Sequence, residues 1–331
     1  MSQRITIIEG DGIGREVMKS VIELLSNLRP DLIFDYVPAG LENFEKNGEL
    51  LPQKTLESIL KNKIAIKGPT STPIGEGHKS INVQLRQYFN LFANLRPVKN
   101  IPSIKTKYSN VDLVIVRENT EDLYIGEESF DGKDAVALKR TTSDACVKIC
   151  EFAYEYAVKN NRKKITTIHK ANILKKTDGL FLKISKEVSQ KYPQIETNDL
   201  IIDNTCMQLV QRPEKFDMIL TSNLYGDILS DLCAGLVGGL GVAPGANLGQ
   251  DYAIFEAVHG SAPDIAGKGL ANPTALIQSS IMMLQYLKDF ESAQKLEKAL
   301  FQALESENRT KDLGGSGNTE LFTKEILKFI K

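Results

Sequence analysis

No apolar run in this 331-residue chain reaches the roughly 18 residues that a membrane-spanning helix needs. The net charge is only −1, so a general attraction to nucleic acid or to an anionic membrane is excluded, and any basic cluster must be local. There is no internal repeat and no low-complexity tract. Cysteine is scarce: Cys146, Cys150, Cys206 and Cys233 are the full set. Cys146 and Cys150 lie four apart in "SDACVKICEFAYEYAVKN", where Ile149, Phe152, Ala153, Tyr156 and Ala157 recur at helical spacing. Both thiols therefore belong on or beside a buried helix face. A zinc site would need further ligands nearby, and the sequence supplies none, so reduced, inert thiols are expected. The opening Met1-Ser2-Gln3-Arg4 runs straight into a strand with no leader pattern, which gives a cytoplasmic expectation, with a processed mitochondrial matrix protein as the alternative.

The composition, 42% hydrophobic and 25% charged, can bury a substantial core. Strand-like runs recur at Ile5–Ile8, Ile33–Val37, Ile64–Lys67, Leu113–Arg117, Ile165–His169, Leu200–Asp203, Met218–Thr221 and Ala253–Ala257. Helical periodicity fills the gaps, as at Gly14–Leu28, Ser80–Phe92, Ser143–Asn160 and Ile173–Lys191. This alternation predicts an α/β fold rich in parallel sheet. One segment departs from it. "LYIGEESFDGKDAVALKRTT" alternates around Asp131-Gly132, a hairpin signal, and a two-stranded hairpin needs something to pack against.

The stretch "ITIIEGDGIGREV" resembles a dinucleotide turn, and it fails the test. The fingerprint G-x-G-x-x-G places its third glycine where the helix packs on the strand. Gly10, Gly12 and Gly14 alternate instead, with Arg15 at the third position, and no acidic residue closes the next strand at the right distance.

Two other constellations carry chemistry. In "NLYGDILSDLCAG", Asp227 and Asp231 are four apart and share a helix face. Asp227 alone could serve as a first-turn acid at the helix dipole, but Asp231 sits deeper, and a hard divalent cation such as Mg2+ or Mn2+ would relieve both. In "GHKSINVQLRQYFNLFANLRPV", Ser80 begins a helix, Asn82 and Arg86 share a face, and Arg96 follows the expected helix end. Arg117 closes a strand in "VIVRENTEDLY". Three arginines, a hydroxyl and an amide make a polyanion site if they converge, and otherwise a solvated basic face.

These stretches resemble the β-decarboxylating dehydrogenases, the family of isocitrate and isopropylmalate dehydrogenases. The motifs are "EGDGIG", "GPTSTPIGEGHKSINVQLR", "ANLRPV", "RENTEDLY", "HKAN", "NLYGDILSD", "GGLGVAPGANLG", "HGSAPDIAGKGLANP" and "KDLGG", covering nearly the whole chain. The resemblance implies the α/β fold of that family rather than a Rossmann fold, with a hairpin arm at 123–142. It further implies a discontinuous large domain (1–95 and 238–331) and a small domain (96–237) at the dimer interface. The short segment after Tyr124 is similar to the simple arm of isopropylmalate enzymes, though Ile125 and Glu127 depart from the usual pattern.

Residue roles follow from the resemblance. Ser80, Asn82, Arg86, Arg96 and Arg117 would hold the substrate; Ser80 and Asn82, polar where isopropylmalate enzymes carry apolar residues, imply isocitrate. Asp227 and Asp231 would ligate Mg2+ or Mn2+, joined by Asp203 from the second protomer of a homodimer. Lys170, also from the second protomer, would assist removal of the hydroxyl proton, and Tyr124 would return a proton to carbon. The cofactor would lie along "HGSAPDIAG", at His259, Gly260, Ser261, Ala262, Asp264 and Ile265, with Asn272 at the adenine and Thr72 and Asn172 near the nicotinamide. Asp264, Ile265 and Gly315 stand where NADP-dependent relatives carry a lysine, a tyrosine and an arginine, so the resemblance implies NAD. The alternatives are homoisocitrate or 3-isopropylmalate as substrate, or a non-catalytic regulatory chain.

Overall fold

The computed structural model describes residues 3–71 and 79–330. Ten strands form one sheet and two more a separate hairpin. In chain order the sheet strands are β1 (Arg4–Ile8), β2 (Ile33–Val37), β3 (Ile64–Lys67), β4 (Ala93–Lys99), β5 (Asp112–Glu118), β8 (Lys164–His169), β9 (Glu196–Ile201), β10 (Met218–Thr221), β11 (Pro244–Leu248) and β12 (Ala253–Ala257). The hairpin is β6 (Glu128–Phe130) and β7 (Ala135–Ala137). The helices are α1 (Gly14–Leu28), α2 (Leu41–Asn47), α3 (Gln53–Asn62), α4 (Ile81–Tyr88), α5 (Ser143–Lys159), α6 (Thr177–Ser189), α7 (Ile202–Gln211), α8 (Asn223–Val237), α9 (Thr274–Tyr286), α10 (Phe290–Leu304) and α11 (Thr319–Ile330). None of the described helices is long and apolar enough to cross a membrane.

The strand order is β2-β1-β3-β12-β11-β4-β5-β10-β8-β9. β2, β1, β3 and β12 are parallel to one another, as are β5, β10, β8 and β9. Between these blocks β11 is antiparallel to both β12 and β4, and β4 is antiparallel to β5. The two blocks therefore run in opposite senses, and β11 and β4 form the seam between them. Neither seam strand was expected. Arg96, expected just past a helix end, lies inside β4 because α4 stops at Tyr88 and the chain extends from Ala93. Asp203, expected at a strand end, is in the first turn of α7.

Alternate residues of a strand face opposite sides, and here the sides differ. One side carries a single continuous apolar cluster in which α1, α5, α6, α9, α10 and α11 pack on strand residues from Ile5 to Ile165. The other side carries two separate clusters. One gathers Ile8, Ala65 and Ile254 under Ile59 of α3 and Leu85 of α4. The second gathers Ile115, Ile168 and Ile219 under Leu209 of α7 and Leu229 of α8. Between them, at the seam, the inward residues are polar: Lys67, Glu256, Asn247, Asn94, Arg96 and Arg117, all buried.

Cys146 and Cys150 are buried on α5 and free, and burial pushes the Cys146 thiol up to about 12. The hairpin turns at the expected place with a loop of 131–134, its Asp131 carboxylate accepting the Lys133 and Asp134 N–H groups. Its strand residues are exposed, Phe130 by 71%.

Candidate active site

The polar seam is a connected network. Asn94 lies opposite Asn247 on one side and Arg117 on the other. Its amide donates to the Asn247 side-chain oxygen at 2.8 Å, and Asn247 donates on to Glu256 at 2.7 Å. Glu256 pairs with Lys67 at 2.9 Å and lies 3.6 Å from the Arg86 guanidinium. Burial on its own would raise the Glu256 carboxyl, but the charges of Lys67, Arg86 and Arg96 outweigh it and hold the group at about 2. Arg96 donates through Nε to Asn94 at 2.7 Å, while burial lowers its guanidinium to about 10.

Arg117, fully buried, donates through Nε and Nη2 to Asn223 at 3.0 and 2.7 Å and through Nη1 to Asp227. Its guanidinium stands 5.1 Å from the centre of the Tyr124 ring. Tyr124 in turn donates to the other Asp227 oxygen at 2.7 Å. Burial, and then this bond to a carboxylate, push the Tyr124 hydroxyl pKa up. The close approach of α8 to Arg117 depends on Gly226, where a Cβ would overlap the arginine side-chain carbons.

A cavity of about 200 Å3 opens on the seam, and Asn82, Arg86, Arg96, Asp227 and Asp231 all line it. Three of these residues carry buried polar atoms without a partner among the described residues: Asn82 Oδ1, Arg86 Nε and Arg96 Nη1. Buried polar atoms left so are costly unless a ligand or water meets them. The cavity also reaches His259 and Gly260, which it shares with a second cleft of about 380 Å3 lined by Ala262, Ile265, Leu270, Asn272, Lys311 and Asp312. In that cleft Asn272 donates to Asp312 at 2.8 Å. Burial lowers the His259 imidazole, which stays neutral near pH 7, and its Nε2 is without a partner among the described residues.

Of the remaining candidates, those among the described residues are not part of these linings. Ser80 is exposed as the cap residue of α4, and its side chain makes no capping bond. Ser261 pairs by hydroxyl with Ser71 at 2.7 Å. Asp264 is exposed on the loop. Asn172 is exposed after β8, and Thr72 lies outside the described residues. Lys170 pairs with Asp203 at 2.6 Å, and neither is among the residues lining the seam cavity.

Asp227 and Asp231 suit a hard cation: Asp231 makes no bond to the described residues, and burial together with the Asp227 charge raises its carboxyl. Asp227 is not a first-turn acid of α8 but stands one turn further in, facing Arg117. Among the described residues no three acidic, histidine or cysteine side chains of one chain gather as a ligand set. Lys67, Asn94, Asn247, Glu256, Lys311 and Asp312 were missed from sequence. Lys67 and Glu256 had a signal, each a lone charge in an otherwise apolar strand, "IAIKG" and "AIFEAV".

Two oppositely directed parallel blocks meet at a buried seam cavity, lined by three basic and three acidic side chains and set beside a second cleft, in an α/β protein. The chain belongs to the isocitrate/isopropylmalate dehydrogenase family, whose model matches residues 4–330. It is similar to a regulatory chain of the mitochondrial NAD isocitrate dehydrogenase of Dictyostelium discoideum, with 50% identity over 99% of this chain and 92% of that one. It is also similar to 3-isopropylmalate dehydrogenase of Methanothermobacter thermautotrophicus, with 46% identity over 100% and 99% of the two chains. The crystal structure of isocitrate dehydrogenase from Methylococcus capsulatus superposes with a TM-score of 0.96 at 45% identity, covering 99% of both chains.

Proposed function

We propose that this chain oxidises isocitrate with NAD+ and releases carbon dioxide and 2-oxoglutarate, using Mg2+ or Mn2+. The observation that carries the proposal is the lining of the seam cavity: buried arginine nitrogens without partners among the described residues, beside the polar Asn82 and two carboxylates. Arg86 and Arg96 bind and orient carboxylates of the substrate, and Asn82, donating through Nδ2, receives the third. An isopropyl group there would leave Asn82 unpaired, which disfavours isopropylmalate. A cation held by Asp227 and Asp231 supplies Lewis-acid polarisation of the substrate oxygen when bound. Tyr124 keeps its proton at Oη until the carbon that loses carbon dioxide needs it. The cofactor lies along 259–267, with Asp264 accepting from ribose hydroxyls and repelling a 2′-phosphate.

We infer a homodimer with shared sites. Lys170 and Asp203 pair with each other at 2.6 Å, and in such a dimer they would serve the cavity of a second copy. Exposed apolar side chains near them in sequence or on the same helix pair, Ile173, Met207, Val210 and Ile228, together with Phe130 and Val136 of the hairpin arm, offer that copy a surface.

Purified protein given isocitrate, Mn2+ and NAD+ is expected to form NADH, and EDTA to abolish it. Initial rates on isocitrate, homoisocitrate and 3-isopropylmalate rank the substrates, with isocitrate expected to lead. A regulatory role is the second reading because of the Dictyostelium relative. Against it, Tyr124, Lys170, Asp203, Asp227 and Asp231 are all present, and turnover by the chain alone decides. Asp264→Lys with Ile265→Tyr is expected to weaken NAD+ use; an unchanged preference refutes the loop assignment.

A further inference from the structure

The glycine turn that fails as a dinucleotide fingerprint is wedged between two loops. Asp11 is buried, and its carboxylate accepts three backbone N–H groups: Leu41 at 3.0 Å, Glu42 at 2.9 Å and Ser71 at 2.6 Å. Its own N–H donates to the Pro69 carbonyl at 2.7 Å, and the Ile13 N–H to the Ser261 carbonyl at 2.9 Å. A Cβ at Gly10 would overlap Pro69, one at Gly12 would overlap Ser261, and one at Gly40 would overlap the Asp11 carboxylate. All three glycines have positive φ. The turn thus joins the loop after β3 to the loop at 259–267, and the Ser71–Ser261 hydroxyl pair closes the circuit.

We infer that Asp11 is a positioning residue for the cofactor: it fixes Ser71, and through Ser71 and the turn it fixes Ser261 and the loop the dinucleotide lies on. The inference rests on the reading of 259–267 as that loop. Three charge-assisted bonds converge on one carboxylate, and an amide can accept on one side only. Asp11→Glu should not restore the fit, because the space at Gly40 is already taken up by the aspartate.

The test is NADH binding by the full-length protein, read from the fluorescence of NADH itself. Asp11→Asn is expected to raise the dissociation constant about tenfold while kcat at saturating NAD+ stays within about twofold. Ser71→Ala, which cuts one tie and leaves the Asp11 bonds in place, is expected to raise it about threefold. A lower melting temperature with unchanged NADH binding would mean that Asp11 only stabilises the fold, and overturns the proposal. Should Asp11→Asn fail to fold, Ser71→Ala decides by the same readout. Asp264→Lys is run beside them. If it leaves binding unchanged, the loop reading itself falls and this inference with it; if it weakens binding and Asp11→Asn and Ser71→Ala do not, the inference alone falls.

Discussion

Two sides of the same sheet were built for different ends. One is covered by a single apolar cluster that spans both parallel blocks, and helices pack along its whole width. On the other the apolar cover is interrupted where the blocks meet, and buried lysine, arginine, asparagine and glutamate fill the gap. A sheet that reverses direction brings strand ends of opposite sense to one seam, so side chains from β3, β4, β5 and β12 converge there without long loops. The continuous side supplies the stability that lets the seam hold charges out of water. Removing charges from water costs several kcal/mol per ion, and only dense mutual pairing offsets it.

Neighbouring residues of β12 put this contrast to its hardest test. Phe255 faces the continuous cluster and Glu256 the seam. Glu256→Gln leaves Lys67 and Arg86 buried without their counter-charge, an expected loss of about 3–5 kcal/mol by denaturant unfolding. Phe255→Ala is expected to lose a similar amount, about 3–5 kcal/mol, through the cavity it opens. The two should separate in kinetics. Glu256→Gln also raises the KM for the polyanionic substrate, since Arg86 loses the carboxylate that holds it, whereas Phe255→Ala leaves KM unchanged. Equal effects on KM would mean the two sides are not functionally distinct.

That contrast was half visible in the sequence. Strands such as β1, β3, β10 and β12 announce themselves as apolar runs, and α1 and α5 keep their periodicity almost to the observed ends. The seam strands do not. "ANLRPVK" carries a proline, an arginine and an asparagine, and "PGANL" is too polar and glycine-rich to resemble a strand, because their inward residues face one another rather than a core. Hence the antiparallel seam, and with it Asn94 and Asn247, went unread. Arg86, Arg96, Arg117, Asp227 and Asp231 were named from motif and spacing; Lys67 and Glu256 stand out locally only as lone charges in apolar strands, and that they pair with each other is set by the long-range meeting of β3 and β12.

Gly226 sharpens the comparison from the helix side. On α8 it faces Arg117, while Leu229 and Cys233 of the same helix face an apolar cluster. Gly226→Ala adds helix propensity worth about 1 kcal/mol but drives a methyl into the arginine, at a cost of about 1–3 kcal/mol. The expected net is a small loss of stability with a clear drop in kcat/KM, because Arg117 can no longer reach Asp227 and Asn223 together. Retained kcat/KM would show that the Arg117 geometry has slack.

The smallest expected effect is a slope. Glu256 is held at about 2 in the folded protein, against an ordinary value of 4.5. A carboxyl with a lowered folded pKa contributes stability that is fully present above its unfolded value and fades as the pH falls through the folded one. Between roughly pH 4.5 and pH 2 the unfolded chain binds this proton and the folded chain does not, which contributes at most about 1.4 kcal/mol per pH unit. Glu256→Gln deletes that contribution, so its stability should fall less steeply on acidification than that of the unmodified protein. Phe255→Ala, equally destabilised, keeps the carboxyl and its partners and should keep the original slope. Parallel acid limbs for the two variants would mean the seam charges are not coupled to folding, and that the polar side is held by its hydrogen bonds rather than by its ion pairs.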